Sequence, residues 1–388
     1  MGIKGFSDLI ESDGVITWKE LKDKKIAIDV YNYLYRIALG SKAVNNLTSE
    51  DGKNTTHINV ILANLVKFKQ YNIGTIWVFD AKSAPDIKKL TLEKRRENKE
   101  KAIKALAEIS KDESMTEANK ESSKMSEISK DENTESITEN TAEGEQKEDA
   151  KTPESWDIVS QAETPKSQEV QLFSGELTQY FEEPQAEEIK VAKKNRLEKQ
   201  AFKLPQYYVD DLLFLLDGLH LQYTIAPDGF EGEQIAAILT DSGHSDYVLS
   251  SDFDVLIFKG TAMLKKVPKQ EGKFELYTYK SVMNQIKKKI PGADHDTLIK
   301  IAIALGNDYN ERIRGYGAKK VITNFHRIDF TPYKHSEEMF KKTTDSIEIA
   351  NLDATPFADV DFTKLKDWLS NNSFSDGTIT RWITNMQF

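Results

Sequence analysis

Apolar residues in this chain fall into short unbroken runs, separated by stretches in which they recur every three or four positions. Ile26-Ala-Ile28, Thr75-Ile-Trp-Val-Phe79, Leu221-Gln-Tyr-Thr-Ile225 and Tyr247-Val-Leu249 have the length and β-branched or aromatic content of buried strands. Between them lie helical patterns. Tyr31–Arg36 reads as the first turns of a helix, and His57–Tyr71 places Ile58, Ile61, Leu62, Leu65 and Val66 on one helical face. Gly74 then opens the next strand, which makes a βαβ unit. An amphipathic helix over Tyr207–Leu219 leads into the third strand. Further on, Met263–Val267 and Phe274–Tyr279 predict a hairpin, Ser281–Ile290 a helix, Leu298–Leu305 an apolar helix, and Asp361–Arg381 two short helices. The alternation predicts an α/β fold: a mostly parallel, twisted sheet flanked by helices.

Each of the four strand-like runs closes on acid. Ile28 is followed by Asp29 and Phe79 by Asp80; the third run leads through Ala226-Pro-Asp-Gly-Phe230 to Glu231-Gly-Glu233, and the fourth through two serines to Asp252-Phe-Asp254. An isolated Asp-x-Asp is commonly a solvated turn. In an open parallel sheet, however, the carboxyl ends of the strands share one edge, where ligands bind. Carboxylates gathered there would repel one another by several kcal/mol unless cations sat between them. The pattern therefore predicts a multi-carboxylate site for divalent metal.

From Ala84 the texture changes. Ile87–Leu106 is a highly charged helical run, the usual sign of a solvated helix face, yet it starts within eight residues of Asp80. Residues 107–188 are rich in Glu, Ser, Thr, Lys and Asn and nearly repeat Glu108-Ile-Ser-Lys-Asp-Glu113 at Glu127–Glu132. Such a composition cannot bury enough apolar surface to offset ordering entropy, so disorder is expected. Within it, Val170–Phe181 is apolar enough for a docking peptide or a transient linker helix. A basic helix follows from about Lys190, carrying Lys193, Lys194, Arg196, Lys199 and Lys203. After the apolar helix come Asp308-Tyr309 and then Arg314-Gly315-Tyr-Gly317-Ala-Lys319-Lys320. Gly-x-Gly before a basic helix start can cradle a phosphate on backbone N–H groups, although tight turns also need glycine.

Charge sharpens this picture. The net charge is -10, but residues 111–188 hold 22 acidic and 7 basic residues, a net of -15, which leaves +5 for the remainder. Since that remainder includes the acidic edge, its other surfaces are basic, as a nucleic-acid partner requires. The chain has no cysteine, which removes disulfides and thiolate metal sites, and its six histidines include no His-x-x-x-His pair. No apolar stretch approaches the roughly 20 residues of a membrane span, and the start lacks the apolar core of a signal peptide. An intracellular setting without membrane association is the expectation.

These residues together resemble the structure-specific 5′ nucleases of the flap endonuclease (XPG-type) family. Met1-Gly-Ile-Lys-Gly-Phe6 is similar to the family's opening, Ile26–Asp29 and Val78-Phe-Asp80-Ala-Lys82 to its first two carboxylate motifs, and Glu231-Gly-Glu233 with Asp252-Phe-Asp254 to its internal region. Leu305-Gly-Asn-Asp308 and Arg314–Lys320 resemble the last carboxylate and the helix-two-turn-helix. The resemblance implies a PIN-like, 5′–3′ exonuclease fold with a helical arch and a C-terminal helix-two-turn-helix module. It divides the chain into an N-terminal nuclease region with the start of the arch (1–106), the acidic insertion (107–188), an internal nuclease region (189–290) and a helix-two-turn-helix region with C-terminal helices (291–388). It implies two Mg²⁺ ions, replaceable by Mn²⁺, with Asp29, Asp80, Glu231 and Glu233 at the ion nearest the nucleophile and Asp252, Asp254 and Asp308 at the other. Lys88 and Arg95, seven residues apart and so on one helical face, match the basic pair that meets the scissile phosphate. Gly2, Arg314, Gly315, Gly317, Lys319 and Lys320 match DNA contacts, with K⁺ at the turn. Tyr35 matches an aromatic that stacks on the terminal base, or is a core tyrosine.

The chain departs from the family's pattern in three places: Ala226–Phe230 carries extra residues before the glutamates, Lys88 lies one residue further from Asp80, and Tyr316 replaces an aliphatic residue. The resemblance implies a monomeric Mg²⁺-dependent endonuclease and 5′ exonuclease acting on flaps, gaps or other branched DNA in replication, recombination or repair. Replication or repair proteins would dock on the acidic insertion, and tight coupling to a sliding clamp through the C-terminal tail is not expected. The Asn- and Lys-rich composition fits a large DNA virus, and so a nuclear site or a cytoplasmic virus factory. Two other readings stand beside this: a non-catalytic branched-DNA scaffold, and an RNA-directed nuclease of the PIN-like fold.

Overall fold

A computed structural model describes residues 2–40, 48–49, 52–83, 85–128, 179–268, 270–343, 360 and 362–387. The chain separates into two compact units, Met1–Asn98 with Phe202–Phe388, and Lys99–Ala201.

The first unit is built on a seven-stranded sheet of β1 (Gly14–Thr17), β2 (Lys25–Asp29), β3 (Gly74–Phe79), β4 (Gln222–Ile225), β5 (Tyr247–Leu249), β6 (Ala262–Lys266) and β7 (Lys273–Thr278), in the order β1-β7-β6-β5-β2-β3-β4. Five neighbours, β6-β5-β2-β3-β4, run parallel; β7 and β1 add an antiparallel edge. The expected hairpin is β6–β7, with Ala262 opposite Thr278. β1 was not anticipated. It is a four-residue edge strand whose first two residues are exposed, and its register with β7, Gly14 opposite Leu276, spans most of the chain.

Unbroken apolar runs suit the central strands because helices cover both faces of a parallel sheet. Alternation along each strand divides the core in two. Ala27, Ile76, Val78, Val248 and Met263 face one cluster, while Ile26, Ile28, Trp77, Phe79, Leu249 and Leu264 face the other. The helices are α1 (Val30–Gly40), α2 (Thr56–Gln70), α3 (Lys89–Ile128), α4 (Gln179–Ala201), α5 (Gln206–Gly218), α6 (Gly232–Asp241), α7 (Asp254–Ile257), α8 (Tyr279–Lys289), α9 (His295–Leu305), α10 (Ala318–Thr323), α11 (Lys334–Lys341), α12 (Phe362–Asn371) and α13 (Asp376–Gln387). Buried residues of α6, α7, α8 and α9 build the first cluster; those of α1, α2, α5, α12 and α13 build the second. At the start of α2 a polar triad forms: His57 Nε2 lies 2.7 Å from Asp211 Oδ2, Lys53 Nζ donates to Asp211 Oδ1 at 3.0 Å, and the Tyr208 ring stacks on His57.

The second unit contains the remainder of α3 and all of α4. Here the structure corrects the expected limits of disorder. α3 continues past Leu106 to Ile128, and α4 begins at Gln179 rather than near Lys190. Glu, Lys and Ala favour helix intrinsically, and opposite charges at i and i+4 add to that preference. Residues 129–178 lie outside the described residues, and of the docking peptide Val170–Phe181 only Gln179–Phe181 is described, as the start of α4. Among the described residues no helix is long and apolar enough to cross a membrane.

Candidate metal centre and nucleic-acid site

The strand order places a break at β2. The chain leaves β2 for β3 and β4 on one side, then returns to β5 on the other. Crevices at such switch points, beyond the carboxyl ends of the strands, are where open α/β sheets bind ligands. Asp29 ends β2, Asp80 follows β3, Glu231 caps α6 just beyond β4, and Asp252 and Asp254 follow β5.

Local hydrogen bonds fix these carboxylates. Asp29 Oδ1 accepts from the Asn32 N–H at 3.1 Å and Oδ2 from Ser250 Oγ at 3.0 Å. Ser250 Oγ also accepts from the Asp252 N–H at 3.1 Å, so one hydroxyl spans the β2–β5 crevice. Asn32 Oδ1 accepts from both the backbone N–H and the hydroxyl of Ser251, at 3.1 and 2.9 Å. Ser250 and Asn32 were missed in the sequence; the signals were the paired serines at a strand end and an Asn three residues after Asp29. Asp80 Oδ1 accepts from the Gly232 N–H at 2.8 Å, tying the β3 end to the start of α6. Beyond α9, Asn307 Oδ1 accepts from the N–H groups of Tyr309 and Asn310 at 2.8 and 3.2 Å, a turn that presents Asp308.

Glu233, Asp252 and Asp254 each bring a ligand oxygen within 4.8 Å of the others. Burial, reinforced by the neighbouring carboxylates, holds Glu233 and Asp254 well above the usual carboxylate range. Burial also raises Asp252, and burial with the Asp80 charge pushes Asp29 up to about 7. Asp254 Oδ1 is buried without a hydrogen-bond partner. An all-oxygen set of crowded carboxylates, one with an unsatisfied buried oxygen, fits hard divalent cations.

Two cations approach the carboxylates from the segment after Asp80. Lys88 Nζ lies 2.6 Å from Glu231 Oε1 and 3.2 Å from Asp308 Oδ2, and the Arg95 guanidinium pairs with Asp308 Oδ1. Burial opposes the charge on Lys88, but Glu231, Asp308 and Glu233 overcome it and keep its pKa above the ordinary lysine value. Asp308 is half-buried, which disfavours its charge, yet Lys88 and Arg95 hold it below the usual range. The structure thus assembles all seven sequence-predicted acids and both predicted cations.

Of the remaining predicted residues, Gly2 lies against this centre: a Cβ there would fall 1.7 Å from Asp252 Oδ1, so only glycine leaves the carboxylate its place. Tyr35, half-buried on α1, packs edge-on against Phe202 with centroids 5.9 Å apart. Gly315, at φ +89°, and Gly317, which precedes α10, form the turn after α9, with Arg314, Lys319 and Lys320 exposed around it. Arg312, although exposed, donates to the carbonyls of Leu305 and Lys4, both at 3.1 Å.

Such a site is complementary to a cation-bridged phosphate, and the class it defines is that of nucleases, hydrolases of DNA phosphodiester bonds. Comparison with known proteins makes this particular. Residues 1–102 match the XPG N-terminal domain and residues 220–308 the XPG I-region. A flap endonuclease 1 of Nanoarchaeum equitans is 27% identical over 320 residues, 79% of this chain and 70% of that protein. One from Phaeodactylum tricornutum is 33% identical over 136 residues, 32% of each chain. Among solved structures, the flap endonuclease-1 of Methanococcus jannaschii has a TM-score of 0.59 at 21% identity, covering 99% of this chain and 98% of its own. The catalytic core of Rad2 in complex with DNA substrate has a TM-score of 0.53 at 15% identity, covering 99% and 100%. The chain belongs to the XPG-type flap endonuclease family.

Proposed function

We propose that this protein is a Mg²⁺-dependent, structure-specific DNA endonuclease and 5′–3′ exonuclease that cuts at 5′ flaps, gaps or other branched DNA in replication, recombination or repair. The observation that carries this reading is the meeting of Lys88 with Glu231 and Asp308, which brings a phosphate-binding cation into the centre of a divalent-metal site. Asp29, Asp80, Glu231 and Glu233 would hold one ion, and Asp252, Asp254 and Asp308 the second; Mn²⁺ would substitute. When bound, the two ions activate water for attack and stabilise the leaving oxygen. The chain's own residues do the rest. Ser250 and Asn32 hold the carboxylates in register across the crevice. Lys88 and Arg95 exchange their carboxylate partners for the non-bridging oxygens of the phosphate and offset the charge that builds there. The turn at Gly315 and Gly317, with Arg314, Lys319 and Lys320, grips duplex backbone without reading sequence, and would share a K⁺ when one is bound. Gly2 meets the DNA beside Asp252, and Tyr35 stacks on the terminal base. The protein works as an intracellular monomer, in a nucleus or virus factory, and the acidic insertion docks replication or repair proteins.

The test is single-turnover cleavage of an end-labelled 5′-flap duplex with Mg²⁺ and with EDTA, beside a gapped duplex of the same sequence. Mg²⁺-dependent incision at the flap junction is expected. Tight binding without incision in Mg²⁺ or Mn²⁺ would make the protein a scaffold instead.

A further inference from the structure

Glu231 and Glu233 sit at the start of α6, fed by the loop Ala226–Phe230. A loop before two ligands needs a support of its own, because ligand geometry is only as firm as the backbone that presents it. The structure supplies that support from more than a hundred residues away. Lys342, which ends α11, donates from Nζ to the Gly229 carbonyl at 2.9 Å. The same ammonium lies 4.1 Å from the centroid of the Phe230 ring. In the other direction, the Lys342 carbonyl accepts from Gln234 Nε2 at 2.5 Å. One residue therefore grips the chain immediately before Glu231 and immediately after Glu233.

The surroundings make this grip firm. Gln234 is 1% exposed and its Oε1 has no partner, so the Lys342 carbonyl is what orients its amide. α11 is anchored through Phe340, whose ring meets Phe258 at 5.2 Å and Tyr309, next to Asp308, at 5.1 Å. On the far side of the loop, Ser83 Oγ donates to Asp228 Oδ1 at 2.7 Å, linking it to the segment after Asp80. The loop is thus held at Asp228 by the segment after Asp80, and at Gly229 and Phe230 by Lys342.

We propose that Lys342 is a positioning residue for the carboxylate site: acting through Gly229, Phe230 and Gln234, it places Glu231 and Glu233 and so sets the affinity for divalent cations. This rests on the reading of the centre as a cation site. Outer partners of metal ligands typically contribute about 10-fold or more to metal affinity. Lys342 is exposed, so its main rival role is direct contact with a DNA phosphate.

Calorimetric titration of Mn²⁺ into the full chain without DNA separates the possibilities, and melting in EDTA checks that each variant is folded. Lys342→Met keeps the alkyl stem over Phe230 but loses the donor, and is expected to weaken Mn²⁺ binding about 10-fold; Lys342→Arg restores it to within about twofold. Phe230→Leu, which removes only the ring beneath the ammonium, is expected to fall between, and serves if Lys342→Met melts early. Wild-type protein that binds no Mn²⁺ would sink the cation reading and this inference together. Wild-type binding with unchanged affinity in Lys342→Met and Phe230→Leu would overturn the inference alone. So would a Lys342→Met variant that keeps its Mn²⁺ affinity while losing DNA affinity in EDTA, since the residue would then be a phosphate contact.

Discussion

Lys88 and Glu231 are joined by an ion pair of 2.6 Å, and the same ammonium reaches Asp308 at 3.2 Å. A lysine that bridges two metal-site carboxylates already stands where phosphate charge must be met. Lys88→Ala is therefore expected to slow single-turnover cleavage by about 100- to 1,000-fold, the usual cost of one donor to transition-state charge. DNA affinity measured in EDTA should change far less. Equal losses in both would make Lys88 an ordinary backbone contact.

Asp254 offers a separate test, because its demands on folding and on chemistry conflict. Its Oδ1 is buried without a hydrogen-bond partner, and burial with Asp252 and Asp308 nearby disfavours its charge. Asp254→Asn should abolish Mg²⁺-dependent incision while raising Tm in EDTA by about 2 °C or more, as a gain on the order of 1 kcal/mol does in a chain of this size. A lower Tm in EDTA would show that the carboxylate supports the fold rather than straining it.

The raised carboxylates also fix the sign of a pH effect. Asp29 stands at about 7, and Glu231, Glu233, Asp252 and Asp254 lie above their unfolded values. Between the ordinary carboxylate range and about pH 7 the folded state therefore binds more protons than the unfolded chain, and stability falls as pH rises through that window. Asp308, held low, works in the opposite sense and loses its contribution only in stronger acid. Metal-free protein should melt earlier at pH 7 than at pH 5, and millimolar Mg²⁺ should remove or reverse the difference. A Tm in EDTA that rises from pH 5 to pH 7 would contradict the crowding of these groups.

Asp211 joins α5 to α2 and to the segment before it, by accepting from Lys53 and pairing with buried His57. Asp211→Asn removes the charge that Lys53 faces and is expected to cost about 2 kcal/mol in urea unfolding. The cleavage rate per folded molecule should hold, because the triad is on the α2 side of the sheet and carries none of the ligands.

Much of this was legible because local pattern and tertiary role coincide. Ile26–Asp29 and Thr75–Asp80 read as strands ending in acid, and they are central strands whose ends meet at the crevice. Where the two diverge, the sequence is silent. Gly14–Thr17 is too short and exposed to announce an edge strand, since its partner lies in β7. Val255–Phe258 is as apolar as a strand, and only burial against α6 and α9 makes it the short helix α7. Ser250, Asn32, Asp211 and Lys342 carry ordinary surface chemistry, and their importance comes from partners far away in the chain. The helix running to Ile128 escaped notice for the opposite reason: its sequence has helix propensity but no apolar face of the kind that pattern reading seeks.

The scattering of the ligands has a consequence for the birth of the enzyme. Asp29 is among the first residues to be made and Asp308 comes about 280 residues later, so at synthesis rates of about 5–20 residues per second the first and last ligands emerge roughly 15 to 60 seconds apart. Until then the ribosome holds a chain with part of its acid in place, no closing carboxylate and no grip from Lys342. The carboxylate site can therefore close only after nearly four-fifths of the chain has been made.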